Sequence, residues 1–359
     1  MPFLYNSIFL SFLTALILTY LITAIAIKIF NRIGLVDDPK QHIHPGIIHT
    51  KPIPRGGGIP LFLGTFIAGL LFLPINNTTI AIFIAAFITL VVGIIDDVQN
   101  TRSSDVSPYI RFLINIATAV IVVKSGVSIH FITNPFGGGL LHFDTIRIPI
   151  INFLLSDIVS VFWLIWVMNM INWSKGVDGQ MPGIVAISAI AIGLLSFKLN
   201  PSTAGLDVNL SFIIAGAMLG FLVFNFYPAK IFPGYGATSI YLLLGIVSIL
   251  SSAKLATAVL VMGIPTVDAV FTIIRRIKNK RSPFLHDNKH LHHNLLKLGY
   301  SQRQIALFYW SISAILGIIS LTLDAKSKVF ALSMLTVIVG GILLFIHSVI
   351  GGSNEKNVS

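Results

Sequence analysis

Long apolar runs, each interrupted by a short charged loop, constrain this chain more than any other feature. Over half of its residues are apolar and only 10% are Asp, Glu, Lys or Arg, where a soluble domain carries about a quarter. Such a chain belongs in a bilayer, and a backbone in hydrocarbon must satisfy its own hydrogen bonds, which calls for helices. Runs beginning near Ile8, Ile59, Ile80, Phe112, Ile151, Ile184, Leu210, Ala237, Leu255, Ile305 and Val329 predict about eleven transmembrane helices. The expected fold class is an all-α polytopic membrane protein. The first run is too long for a signal-peptide core and reads as a retained span. One multi-span domain is expected over 1–351, with a disordered tail at 352–359. The chain has no cysteine, so disulfides and thiolate metal sites are excluded.

Basic residues orient the helices. When the runs alternate in direction, every Lys and Arg except Lys124, Arg147, Lys198, Lys254, Lys326 and Lys328 falls on one side. That side is expected to be cytoplasmic, with the N-terminus outside and the C-terminus inside. The other side has one longer segment, roughly 128–149, which contains Phe136-Gly137-Gly138-Gly139 and predicts a small external β-hairpin.

Five loops on the basic side collect the unusual polar residues. Loop one holds Asp37-Asp38 and then His49, Lys51, Arg55 and Gly56-Gly57-Gly58, where glycines let backbone N–H groups approach an anion. A helix-entry turn with a snorkelling Arg is the plainer reading of that segment alone. Loop two opens with Asp96-Asp97 at the end of an apolar run, costly unless paired, hydrated or bound to a cation. Adjacent side chains on a helix diverge by about 100°, so one is expected to meet a metal or attacking group and the other a basic neighbour. In loop three, Asn169 and Asn172 share a helix face, and Asp178 sits on a glycine turn after Lys175. Loop four runs from Asn225 through Lys230 to Gly234-Tyr235-Gly236-Ala237-Thr238, which suits either an anion at a helix N-terminus or simple capping.

Loop five contains Arg275, Arg276, Ser282-Pro283-Phe284, Asp287 and His290-Leu291-His292-His293. Three imidazoles within four residues beside two Arg suit a phosphate better than a structural role. A zinc site needs a geometry that spacing alone does not supply.

Together these loops resemble the polyprenyl-phosphate N-acetylhexosamine-1-phosphate transferase family, which includes the phospho-N-acetylmuramoyl-pentapeptide transferases. The resemblance spans about 37–303. It rests on His49-x-x-Pro-x-Pro-Arg55, Asp96-Asp97, Asn169-x-x-Asn172 with Asp178-Gly179, Asn225-x-x-Pro228-Ala229-Lys230, and Arg275-Arg276 through to His290-x-His292-His293. The Ser-Pro-Phe, Asp and His-x-His-His pattern of loop five is similar to the UDP-N-acetylglucosamine branch.

The resemblance implies transfer of N-acetylhexosamine-1-phosphate, from UDP-N-acetylglucosamine by the loop-five pattern, to polyprenyl (undecaprenyl) phosphate. The products are UMP and a lipid-linked sugar diphosphate that initiates a cell-surface glycan, with Mg²⁺ or Mn²⁺ as cofactor. It implies catalytic roles for Asp96, Asp97 and Asp178, and metal ligation by Asp97, Asp178 and Asn172. Substrate binding would fall to His49, Arg55, Asn169, Asn172, Lys230, Arg275, Arg276, His290, His292 and His293. The implied partners are UDP-N-acetylhexosamine, polyprenyl phosphate and the plasma-membrane bilayer, with a homodimer allowed and nucleic acid excluded.

Two positions depart from the family pattern, which has Asp where this chain has Lys175 and Tyr235. A neutral phenol is a poor ligand for a hard cation. Three alternatives stay open: metal held by Asp96, Asp97 and Asp178 alone, Lys175 taking part of the cation's role, or a relative that binds lipid phosphate or UDP-sugar without transferring.

Overall fold

The computed structural model describes residues 2–40, 49–102, 104, 106–134, 137, 139–148, 153–199, 201, 205–251, 255–282 and 289–355. Helices account for most of them: α1 (Pro2–Ile33), α2 (Gly58–Phe72), α3 (Asn77–Asn100), α4 (Pro108–Lys124), α5 (Leu155–Trp173), α6 (Gln180–Leu199), α7 (Leu206–Asn225), α8 (Thr238–Leu250), α9 (Leu255–Val261), α10 (Gly263–Lys278), α11 (Leu291–Lys297), α12 (Gln302–Ser320) and α13 (Ala325–Glu355). Short strands β1 (Val36–Asp37) and β2 (Ile53–Pro54) pair, as do β3 (Phe131–Thr133) with β4 (Leu140–His142) and β5 (Arg147–Ile148) with β6 (Phe153–Leu154), all antiparallel.

A helix lies over or beside each apolar run, but among the described residues seven are long and apolar enough to cross a membrane unaided. The count is eight if α9 and α10, bent by 81° at their junction, form one broken span. Pro265, in the first turn of α10, cannot donate to the preceding turn, which accounts for a break there. Helices α2 and α8, with 15 and 13 residues, fall short of the roughly 20 that a bilayer asks. Helix α13 extends to Glu355, into the segment expected as a tail.

The reason α8 can be short is its position. Every residue from Thr238 to Ile249 is buried, and α2, α3, α5, α6, α7 and α9 all pack against it. A helix that is apolar all round has to be surrounded in this way. The loop leading into α8 therefore arrives at the middle of the bundle. Around this hub, α7 packs on α1 and α6, with Gly216 and Gly220 of α7 against the backbone of Phe12 and Leu16. Small residues permit the close helix approach that substitutes for a hydrophobic driving force in lipid.

Candidate active site

Loops one and four are sewn together by backbone. The Phe232 N–H donates to the Pro54 carbonyl (2.8 Å), and Gly57 and Gly58 N–H groups donate to Phe232 and Pro233 carbonyls (2.9 Å each). A side chain at Gly58 or Gly93 would collide with the backbone of Gly236, so the start of α2, helix α3 and loop four meet at backbone distance. This contact aims the Tyr235 and Gly236 N–H groups at Asp97, to which they donate at 2.8 and 3.2 Å. The anion held by the N–H groups ahead of α8 is thus a carboxylate of this chain.

Arg55 completes the shell of Asp97. Its Nε donates to Asp97 Oδ1 and its Nη1 to Asp37 Oδ2, both at 3.0 Å. Asp96 turns away from its neighbour and accepts from Arg111 Nη1 at 3.1 and 3.3 Å. Both carboxylates are buried, and each has its own arginine, as buried charges require. Between the pairs stands Tyr235, whose hydroxyl accepts from Asn115 Nδ2 (3.3 Å) and whose ring lies 5.1 Å from the Arg111 guanidinium. Burial pushes its phenol up to about 12, so the group is neutral. His49 Nε2 lies 3.2 Å from the Asp37 carbonyl, its ring edge-on to Phe232.

Loop three bridges this cluster to the histidines. Lys175 Nζ donates to the Gly234 carbonyl at 3.0 Å and sits 5.9 Å from the Tyr235 ring. Burial, together with Arg55, pushes its ammonium down to about 7 despite Asp97 and Asp96. The next residue, Gly176, lies directly under the His292 ring, where any Cβ would overlap the imidazole. Asp178 Oδ2 accepts from the Ala229 N–H at 2.9 Å, and burial raises its carboxyl. The Gly179 N–H donates to Asn225 Oδ1 (3.1 Å), and Asn225 Nδ2 to the Ile231 carbonyl (2.8 Å).

On the loop-five side, His290 Nδ1 is 2.7 Å from Asp268 Oδ2, and Asp268 Oδ1 accepts from the Leu291 N–H at 2.9 Å. The His290 and His292 rings stack at 5.5 Å, and His292 and His293 approach to 4.2 Å. His292 is buried with neither ring nitrogen hydrogen-bonded. Burial, then His293 and His290, holds it well below the usual imidazole range. The Arg276 guanidinium lies 5.4 Å from the Trp173 ring, and Arg275 donates to the Lys289 carbonyl.

Of the residues singled out from sequence, Arg55, Asp96, Asp97 and Asp178 gather with loop four, and His290, His292 and His293 form one cluster against loop three. Asn172 turns a buried Oδ1 with no hydrogen-bond partner. Asn169 is spent within its own helix, donating to the Ile165 carbonyl. Lys230 is exposed, with its backbone N–H bonded to Phe224. Pro283, Phe284 and Asp287 lie outside the described residues. Sequence reasoning missed Asp268 and the pairing role of Arg111. Asp268 did leave a signal, as the one acidic residue between Leu255 and Lys278, where an intramembrane carboxylate marks a site by default.

The donor set does not fit a Mg²⁺ cage. A hard cation asks for several free oxygens, whereas Asp96 and Asp97 are engaged by arginines and Asp178 by a backbone N–H. Among the described residues, no group of three or more His, Asp or Glu is arranged to hold a metal.

Comparison of the sequence with known proteins identifies a family. The pattern of glycosyl transferase family 4 fits residues 79–252. A probable undecaprenyl-phosphate N-acetylglucosaminyl 1-phosphate transferase of Bacillus subtilis is 33% identical over 96% of this chain and 92% of its own. The chain belongs to glycosyl transferase family 4. A decaprenyl-phosphate N-acetylglucosaminephosphotransferase of Mycobacterium tuberculosis is 30% identical over 83% of this chain and 78% of its own. A phospho-N-acetylmuramoyl-pentapeptide-transferase of Staphylococcus aureus is 25% identical over 88% and 98%. This family 4 member is a multi-pass membrane enzyme, a glycosyl-1-phosphate transferase. The family match covers α3 through α8, the segment that carries Asp96, Asp97, Lys175, Asp178 and Tyr235.

Proposed function

We propose that this enzyme transfers N-acetylglucosamine-1-phosphate from UDP-N-acetylglucosamine to a polyprenyl phosphate such as undecaprenyl phosphate. The carrying observation is the convergence of Arg55, Arg111 and Lys175 around the Asp96–Asp97 pair, with the His290–His293 cluster joined to it through Gly176. An oxygen of the lipid phosphate bonds to the β-phosphorus of the nucleotide. The β-phosphorus–oxygen bond to the α-phosphate breaks, its electron pair leaves on UMP, and no net proton is taken up. Joining two phosphate-bearing substrates is a problem of positioning and charge neutralisation.

Arg55 and Arg111 are fixed by their aspartates and form a rigid wall of guanidinium groups. His292 and the Asn172 Oδ1, both short of hydrogen-bond partners, are poised for polar contacts with substrate. His290, oriented by Asp268, Arg275 and Arg276 extend the wall toward the nucleotide. The finer topology of this reading is about eleven crossings, N-terminus outside, C-terminus and site cytoplasmic, with β3–β4 on the outer face. The basic loops support that sidedness.

Purified protein in detergent, given UDP-N-acetylglucosamine and undecaprenyl phosphate, is expected to form a lipid-linked sugar diphosphate. Absence of lipid product with every UDP-sugar, with and without divalent ions, contradicts the reading.

A further inference from the structure

Three of the carboxylates at the site are paired with arginines. Asp37 and Asp97 share Arg55, and Asp96 takes Arg111. With Lys175 charged, three cations face three carboxylates, and the cluster keeps no surplus negative charge to draw a divalent ion. Lys175 is the member of this group without a direct carboxylate bond, its one hydrogen bond going to the Gly234 carbonyl. An ammonium has three donors, so two N–H bonds remain to be made.

We propose that the Lys175 ammonium is a built-in cation that binds the diphosphate of the sugar nucleotide, so that nucleotide binding and transfer need no protein-held divalent ion. The inference rests on the transfer reading above. Its support is position. Lys175 stands beside Gly234 of the Asp97-bound loop, and the next residue in the chain lies under His292. It therefore lies at the seam between the arginine–aspartate cluster and the histidines. A phosphate there meets a compact charge with rotatable donors, the way lysines serve phosphates elsewhere. The Tyr235 ring lies 5.9 Å from the Lys175 ammonium and 5.1 Å from the Arg111 guanidinium and adds no charge of its own. An arriving diphosphate supplies the attraction that holds the proton on an ammonium otherwise poised near 7.

The test is calorimetric titration of UDP-N-acetylglucosamine into the detergent-solubilised protein in excess EDTA, with transfer measured in parallel. The native chain is expected to bind in EDTA and to form lipid product there. Lys175→Met should weaken binding by roughly ten- to a hundredfold, the worth of a charged hydrogen bond. Lys175→Arg should recover part of it, and thermal melting confirms that each variant is folded. A Lys175→Asp, Tyr235→Asp double variant should bind nucleotide only when Mg²⁺ is supplied. Binding by the native chain that requires Mg²⁺, or unchanged binding by Lys175→Met, overturns the proposal. Lipid product that EDTA abolishes also overturns it, while leaving the transfer reading intact. With no lipid product under any ionic condition the transfer reading fails, and the binding arm still decides the role of Lys175.

Discussion

Gly176 and His292 occupy each other's space: the imidazole lies where a Cβ of residue 176 would be. That contact locks the histidine cluster to the loop that carries Lys175. Gly176→Ala must displace His292, and overpacking of this kind costs about 1–3 kcal/mol. We expect a lower melting temperature and a loss of transfer larger than the loss of stability explains. Melting curves and initial transfer rates on the same preparation check this, and an unaltered rate would show that the contact has no part in function.

Arg55 serves two carboxylates at once, both buried. Arg55→Met leaves Asp37 and Asp97 without their shared partner, and breaking a buried pair costs about 3–5 kcal/mol. The double variant Arg55→Met, Asp97→Asn removes one of the stranded charges and should recover part of that loss. Chemical denaturation of the two variants measures the difference, and equal stability would show that the Asp97 pairing contributes nothing.

Lys175 stabilises the site chemically and destabilises the fold. Its ammonium is pushed from 10.5 down to about 7. Between those values the unfolded chain holds a proton that the folded chain gives up, so stability falls as pH drops through the window, and below 7 the full cost is present. Lys175→Met is expected to raise the melting temperature at pH 7 while weakening nucleotide binding. A lower melting temperature would show that Lys175 is a structural cation.

His292 sets a second pH window. Held well below its ordinary 6.5 by burial, it stays neutral in the fold while the unfolded chain takes up a proton as pH falls through 6.5. Stability should therefore decline below that pH, and His292→Leu should flatten the decline. The same pH slope in both proteins, read from denaturation midpoints at pH 7.5 and 5.5, would remove the role assigned to its burial.

How much of this was legible in the sequence follows from the range of each interaction. The five polar loops stood out because each breaks an apolar run, and the glycines at 56–58 advertised close approach, whereas the contact of Gly176 with His292 was not foreseen. Partners were hidden. Asp96 finds Arg111 fifteen residues on, and Asp97 finds the Tyr235 N–H at a separation of 138, distances at which no local pattern operates. The anion-binding character of loop four was readable, whereas its occupant, Asp97, was not. The surroundings of α2 and α8 were not legible, because an apolar run looks the same against lipid as against protein. Only the packing of six helices around α8 reveals the difference.

The central claim is that the unit transferred is a sugar phosphate, with the nucleotide leaving as UMP. UDP-N-acetylglucosamine labelled with ³²P at the β-position distinguishes this from transfer of the sugar alone. Incubated with undecaprenyl phosphate and the purified enzyme, the label is predicted to enter the lipid fraction in step with release of an equal amount of UMP. Label that stays on the nucleotide as UDP while sugar reaches the lipid, or a lipid fraction that gains neither, would contradict the account.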